Sequence, residues 1–182
     1  AIGGSFRALA KMHMVASQYP LQILHEYMVD AKPFLAFVRD IASMSIEKLE
    51  KFPGGSRSRA PALPGAAMVL ETLLTTSKAE KIVFSASGIR EGYVYAQLPA
   101  TTREEDGLLS ACHELCADDE RCTRYASELF QWMQPLISPH DTHPQRLLQA
   151  FCLLADVAIH IHPEYRAQWA FQRIMYSAFN SL

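Results

Sequence analysis

The sequence predicts a short α/β segment followed by an all-α segment, with helix dominating overall. Three observations carry this. The diglycine in Ile2-Gly3-Gly4-Ser5-Phe6-Arg7-Ala8-Leu9-Ala10 is followed at once by a helical pattern. The run Lys81-Ile82-Val83-Phe84-Ser85-Ala86-Ser87 is β-branched and aromatic and ends in small polar residues, the profile of a buried strand. From about Thr101 onward Gly107 is the only glycine, and long amphipathic periods take over.

Taken in order, Phe6 to Met14 reads as the first helix and Leu21 to Leu24 as a short apolar run suited to a strand. Phe34, Leu35, Phe37, Val38 and Ile41 fall at helical spacing and predict one apolar face. The stretch from Pro53 to Pro64, "PGGSRSRAPALP", carries three prolines and two glycines and reads as a loop. Pro64 then suits the first turn of a helix, where its missing N–H costs nothing. Gly65, Ala66 and Ala67 give that helix a slim face for close backbone approach. "GIREGYVYAQL" predicts a further helix.

In the second half, Tyr125, Leu129, Trp132, Met133 and Leu136 make one helical stripe, and Leu147, Leu148, Phe151, Leu154, Ala155 and Ala158 another. A third runs through "EYRAQWAFQRIMYSAF". Trp132, Phe151, Trp169 and Phe171 are expected in the core. The best domain junction lies near Pro99 to Thr102, dividing residues 1–99 from 100–182.

The chain has 182 residues, 49% of them hydrophobic and 20% charged, enough to bury a sizeable core. A formal net charge of -2 argues against nucleic acid or an anionic membrane as partner. No apolar run approaches the roughly 20 residues of a spanning helix, and no basic region precedes an apolar leader. The four cysteines, Cys112, Cys116, Cys122 and Cys152, read as free thiols of a cytoplasmic protein.

The opening turn is suited to an anion. Glycines allow close approach, and the helix that follows offers unpaired N–H groups and the positive end of its dipole. Ser5 is expected to cap that helix. Such a turn ordinarily follows a strand, and none precedes it, so the sequence reads as a piece of a longer protein.

The succession "GGSFRALA", "RSRAPALPGAAMVLETLL" and "KIVFSASGIREGYVYAQL" resembles the second lobe of the exopolyphosphatase and guanosine pentaphosphate phosphatase family. "GIREG" (Gly88 to Gly92) is the most specific element. "LLQAFCLLADVAIHIHPEYRAQWAFQRIM" is similar to that family's appended helical domain. The resemblance implies the end of an actin-like (RNase H-like) lobe at 1–99 and a helical domain related to HD-type phosphohydrolases at 100–182. One departure is clear: Ala155 stands where an HD domain carries its metal-binding histidine, before Asp156, and alanine binds no metal.

The activity implied is hydrolysis of phosphoanhydride bonds in inorganic polyphosphate or guanosine pentaphosphate, by water activated from a glutamate. Magnesium and backbone N–H groups would steady the phosphoryl charge. The phosphate loops and the glutamate belong to a first lobe without a match here. The chain alone is therefore expected to be inactive, with the magnesium ligands outside it. The implied phosphate contacts are Gly3, Gly4, Ser5, Arg7, Arg57 and Arg90, because guanidinium forks grip phosphate oxygens in pairs. Arg59 belongs to the same motif as Arg57. The plainer reading makes both loop solubilisers and pairs Arg90 with Glu91, which itself serves as a helix cap.

Other clusters read as structural. Cys112, His113, Cys116 and Cys122 lack the spacing of a zinc knuckle. His140, Asp141 and His143 suit a loop, as His160 and His162 suit a helix end near Pro163. Arg166 is expected to anchor the two domains. Two rival functions remain: a guanosine tetraphosphate sensor without turnover, and a helical interaction module. A homodimer would follow if a sheet edge were left open.

Overall fold

The computed structural model describes residues 2–117, 120–137 and 142–176, and the chain divides into two compact units, Ala1–Tyr93 and Val94–Leu182. Among the described residues helix dominates, with one two-stranded sheet.

The first unit runs α1 (Gly4–Ala16), β1 (Tyr27–Asp30), α2 (Ala31–Ser43), α3 (Ile46–Glu50), a 3-10 turn (Arg57–Ala62), α4 (Leu63–Ser77) and β2 (Lys81–Phe84). Helix α5 (Ile89–Gln97) follows, and the division between the units falls inside it. β1 and β2 pair antiparallel, with Tyr27 opposite Phe84 and Asp30 opposite Lys81.

The amphipathic stripe of α2 does as its spacing predicts: Phe34, Val38 and Ile41 are fully buried. They meet Leu9 and Met12 of α1 and Leu63, Ala67 and Leu70 of α4 in one cluster that also takes in Phe84. Each such side chain contributes about 1.5–3 kcal/mol by leaving water. The Phe34 ring packs edge-on against Phe84, centroids 5.4 Å apart, and joins the sheet to the helices.

Several elements differ from expectation. Leu21 to Leu24 is irregular, and the strand begins three residues later, at Tyr27. The turn at Glu26, whose φ is +58°, delays it. β2 is half-buried, not buried: Ile82 and Phe84 face the core while Lys81 is exposed. The proline-rich stretch is not all loop, since prolines at fixed φ are compatible with its short 3-10 turn. Gly65 has open space where a Cβ would sit, so it permits no close approach. Ala67 does that work from the buried face.

The second unit contains α6 (Ala100–Arg103), α7 (Gly107–Cys116), α8 (Glu120–Met133), α9 (Thr142–Leu154) and α10 (Arg166–Tyr176), with 3-10 turns at Gln134–Leu136 and Pro163–Tyr165. α7 and α8 both pack against α9. Asp106 caps α7, accepting from the N–H groups of Leu108 at 3.0 Å and Leu109 at 3.2 Å.

This core is built of small side chains, Cys112, Ala126, Ala150 and Cys152, with Leu148 and Leu153. That overturns the aromatic core expected from periodicity. Trp132 is 73% exposed, Phe151 58%, Trp169 52% and Phe171 51%. Alanine and cysteine occupy the inward positions, and Phe130 is the aromatic that packs against this cluster among the described residues.

The histidine-bearing segment also differs. α9 stops at Leu154, and residues 155–161 form successive tight turns, such as Ile159 N–H to Asp156 carbonyl at 2.9 Å. Cys116 and Cys122, expected as thiols, come together at the end of α7 and the start of α8, their Cα atoms 5.7 Å apart, a spacing that suits a disulfide. Cys112 and Cys152 are free and buried. No helix among the described residues is long and apolar enough to cross a membrane.

Candidate anion-binding site

Gly3 precedes α1 with φ +130°, a conformation few side chains tolerate. It turns the chain so that its carbonyl accepts from Arg7 N–H at 2.9 Å, which starts the helix. No side chain caps α1. Ser5, expected as the cap, is the second residue of the helix, and Gly3 holds the N-cap position. The positive end of the α1 dipole is thus left for something else.

Beside that end lies a cavity of 460 Å³, lined by Gly4, Arg7, Ala8 and Lys11 of α1, Leu24, Gly54, Ser56 and Arg59 of the following segments, and Ala86 after β2. Three cations and one helix N-terminus line it, and no carboxylate does. Arg7 and Lys11 sit four residues apart and share one helix face. Arg59 comes from the 3-10 turn, and its guanidinium lies against Gly4, where any side-chain carbon would collide with it. Gly54, at φ +77°, presses onto α1: a Cβ there would meet Val15 at 2.8 Å and the Lys11 carbonyl at 3.1 Å. The loop is thereby drawn down to close the cavity.

Arg7 is held from the other side. Its Nη1 donates to the Ala86 carbonyl at 3.1 Å, while its Nε is buried with no hydrogen-bond partner among the described residues. Leaving a buried donor unmatched costs about 1–3 kcal/mol, so this guanidinium is not arranged for stability alone. Glu91 caps α5 by accepting from Gly88 N–H at 2.6 Å. Hydrogen bonds from backbone N–H groups, with the charges of Arg90 and Arg7 adding to them, hold its carboxyl below the usual range. Glu91 is therefore a charged cap, as its sequence position suggested.

Gly4 and Arg7 meet at this cavity, next to Gly3 and Ser5. Arg57 and Arg90 are not among the lining residues. Arg59 occupies the place expected of Arg57, because the 3-10 turn points alternate residues apart. Lys11 was not singled out in the sequence, although its spacing from Arg7 was available. His25 and Ala86 carried no signal there at all. The donor set does not fit magnesium, since the lining supplies no carboxylate and no group of three His, Cys, Asp or Glu among the described residues could hold a metal.

The remaining candidates are structural in geometry. His162 Nδ1 accepts from Glu164 N–H at 3.4 Å and caps a turn. Arg166 Nε donates to the Ile161 carbonyl at 2.9 Å, a bond within its own unit. His140 and Asp141 lie outside the described residues, as does the His143 side chain.

Comparison with curated proteins found no match. Two family models match the chain: one described as the Ppx/GppA phosphatase family over residues 1–101, and one described as the exopolyphosphatase C-terminal domain over residues 108–182. The diglycine turn, the arginine-bearing 3-10 turn and the α5 cap all lie inside the first match. The chain therefore belongs to the Ppx/GppA phosphatase family, a family of hydrolases.

Proposed function

We propose that this chain supplies one wall of the phosphate cleft of a phosphoanhydride hydrolase that releases terminal phosphate from inorganic polyphosphate, guanosine pentaphosphate or both. One observation carries this reading: Arg7, Lys11, Arg59 and the uncapped α1 N-terminus converge on a cavity without a carboxylate. A polyanion entering it exchanges water for charge-assisted hydrogen bonds. The same donors would stabilise the charge that builds on phosphoryl oxygens as the bond breaks.

In this reading residues 1–99 complete an actin-like lobe and residues 100–182 an HD-related helical domain. The contacts are Gly3, Gly4, Ser5, Arg7 and Arg59, with Arg57 and Arg90 toward the cleft's rim. Magnesium and the water-activating glutamate are supplied from outside these residues, in a cytoplasmic protein, so the chain alone binds without hydrolysing. Titration calorimetry with tripolyphosphate tests this. Arg7→Ala and Arg59→Ala should each weaken binding about tenfold or more, as loss of a charged hydrogen bond does, while Arg57→Ala should change it little. Equal binding by wild type and Arg7→Ala would remove the proposal. Tight guanosine tetraphosphate binding beside negligible tripolyphosphate affinity would favour the sensor reading.

The exposed Trp132, Phe151, Trp169 and Phe171 support a second reading for the helical unit, as a module that binds another protein or a second copy of the chain.

A further inference from the structure

The histidine at 25 is placed to control Arg7 through a single residue, Ala86. Its Nδ1 accepts from the Ala86 N–H at 3.3 Å. The carbonyl of the same residue accepts from Arg7 Nη1 at 3.1 Å. His25 therefore grips one end of residue 86 while Arg7 holds the other. Glu26, next in sequence, adopts φ +58°, uncommon for a residue with a side chain and costing about 1–3 kcal/mol where it occurs. That turn leads the chain from His25 into β1. The Glu26 carboxylate comes within 3.8 Å of His25 Nε2. An imidazole that accepts at Nδ1 carries its proton at Nε2, the side facing Glu26.

We infer that His25 is a positioning residue for the anion site: by accepting from Ala86 N–H it anchors the residue whose carbonyl aims the Arg7 guanidinium at the cavity. Ala86 lines that cavity, so a shift of this residue alters both the wall and the arginine it carries. The inference rests on the site proposed above. It makes His25 act through Ala86, without touching the anion. It also accounts for the buried Arg7 Nε: an arginine tied at Nη1 is held in place even though Nε finds no partner among the described residues.

Two variants separate this role from simple loss of packing. His25→Asn keeps an acceptor, since the amide oxygen branches from Cγ as Nδ1 does. His25→Gln carries its amide one carbon further out, at the position of Nε2, and loses the acceptor at Cγ. In the 182-residue chain, exchange of the Ala86 amide proton should stay slow in wild type and His25→Asn and quicken in His25→Gln. Tripolyphosphate affinity should fall about two- to tenfold in His25→Gln, the value of one neutral hydrogen bond, and return to within about twofold of wild type in His25→Asn.

Unchanged Ala86 exchange in His25→Gln would overturn the inference whatever happens to binding, as would equal loss of affinity in both variants. Absence of tripolyphosphate binding in wild type would instead overturn the site. The exchange measurement would then still report whether His25 holds the Ala86 peptide.

Discussion

The guanidinium of Arg59 lies against Gly4, with its Cζ 3.1 Å from where a Cβ would stand. Two segments separated by more than fifty residues thus meet where the absence of a side chain makes room. Gly4 has ordinary helical backbone as the first residue of α1, so its value is spatial and not conformational. Gly3 next to it is the reverse: its φ of +130° is the constraint, and nothing lies nearer than 3.8 Å to its Cβ position.

The pair predicts two different outcomes. Gly4→Ala should leave urea unfolding nearly unchanged, because the far end of a flexible arginine can swing away, yet weaken tripolyphosphate binding by displacing Arg59. Gly3→Ala should lower stability by about 1–3 kcal/mol through backbone strain. Calorimetry and urea titration of both variants check this. A Gly4→Ala protein that binds as wild type would detach Arg59 from the site.

Asp106 sets a pH dependence for the helical unit. Its carboxylate caps α7 and pairs with both Nε and Nη2 of Arg146, the latter at 2.9 Å. The hydrogen bonds from Arg146, aided by Leu109 and Leu108 N–H, hold its carboxyl below the usual carboxylate range. A depressed acid stabilises the fold above its unfolded pKa and loses that contribution as pH falls through the folded value. Thermal midpoints of wild type should therefore fall below about pH 4, the ordinary aspartate range. Asp106→Asn should melt lower than wild type at pH 7, and the gap should close in acid. A gap that persists at pH 2 to 3 would count against the ion pair.

A disulfide between the neighbouring Cys116 and Cys122 would fix the thiol count. Of four cysteines, two should alkylate in urea without reductant, Cys112 and Cys152, and four after reduction. In the folded protein those two should react slowly, since burial pushes both thiols up. Reduction should cost about 2 kcal/mol, the chain-entropy value for so short a loop. Four labelled cysteines without reductant would exclude the bond.

Chelators supply the last test. With no metal-binding group among the described residues, EDTA should leave the melting temperature of the second unit unchanged. A clear drop would reveal a structural metal.

Much of the first unit was legible in sequence because α2 concentrates its large apolar residues toward one side. α2 buries Phe34, Val38 and Ile41 fully, and its other large apolar residues, Leu35 and Phe37, flank them and pack against the same core. Pro64 marked the start of α4, and the diglycine marked α1. The site was half legible: Gly4 and Arg7 lie in a local motif, whereas the choice of Arg59 over Arg57 depends on which way a 3-10 turn faces. His25 reaches its place only through β1 pairing with β2, which brings residues 25 and 86 together.

The second unit shows the limit most clearly. α9 carries Leu147 and Phe151 on one side and Leu148 and Cys152 on another, and both sides satisfy helical spacing. Periodicity determined that these segments are helices, and the local motifs determined the family. Which face turned inward, which arginine reached the cavity and which cysteines came together were decided only by packing. Hydrophobic burial has no direction along a chain, so sequence selects candidates for the interior, and the neighbours that arrive in three dimensions choose among them.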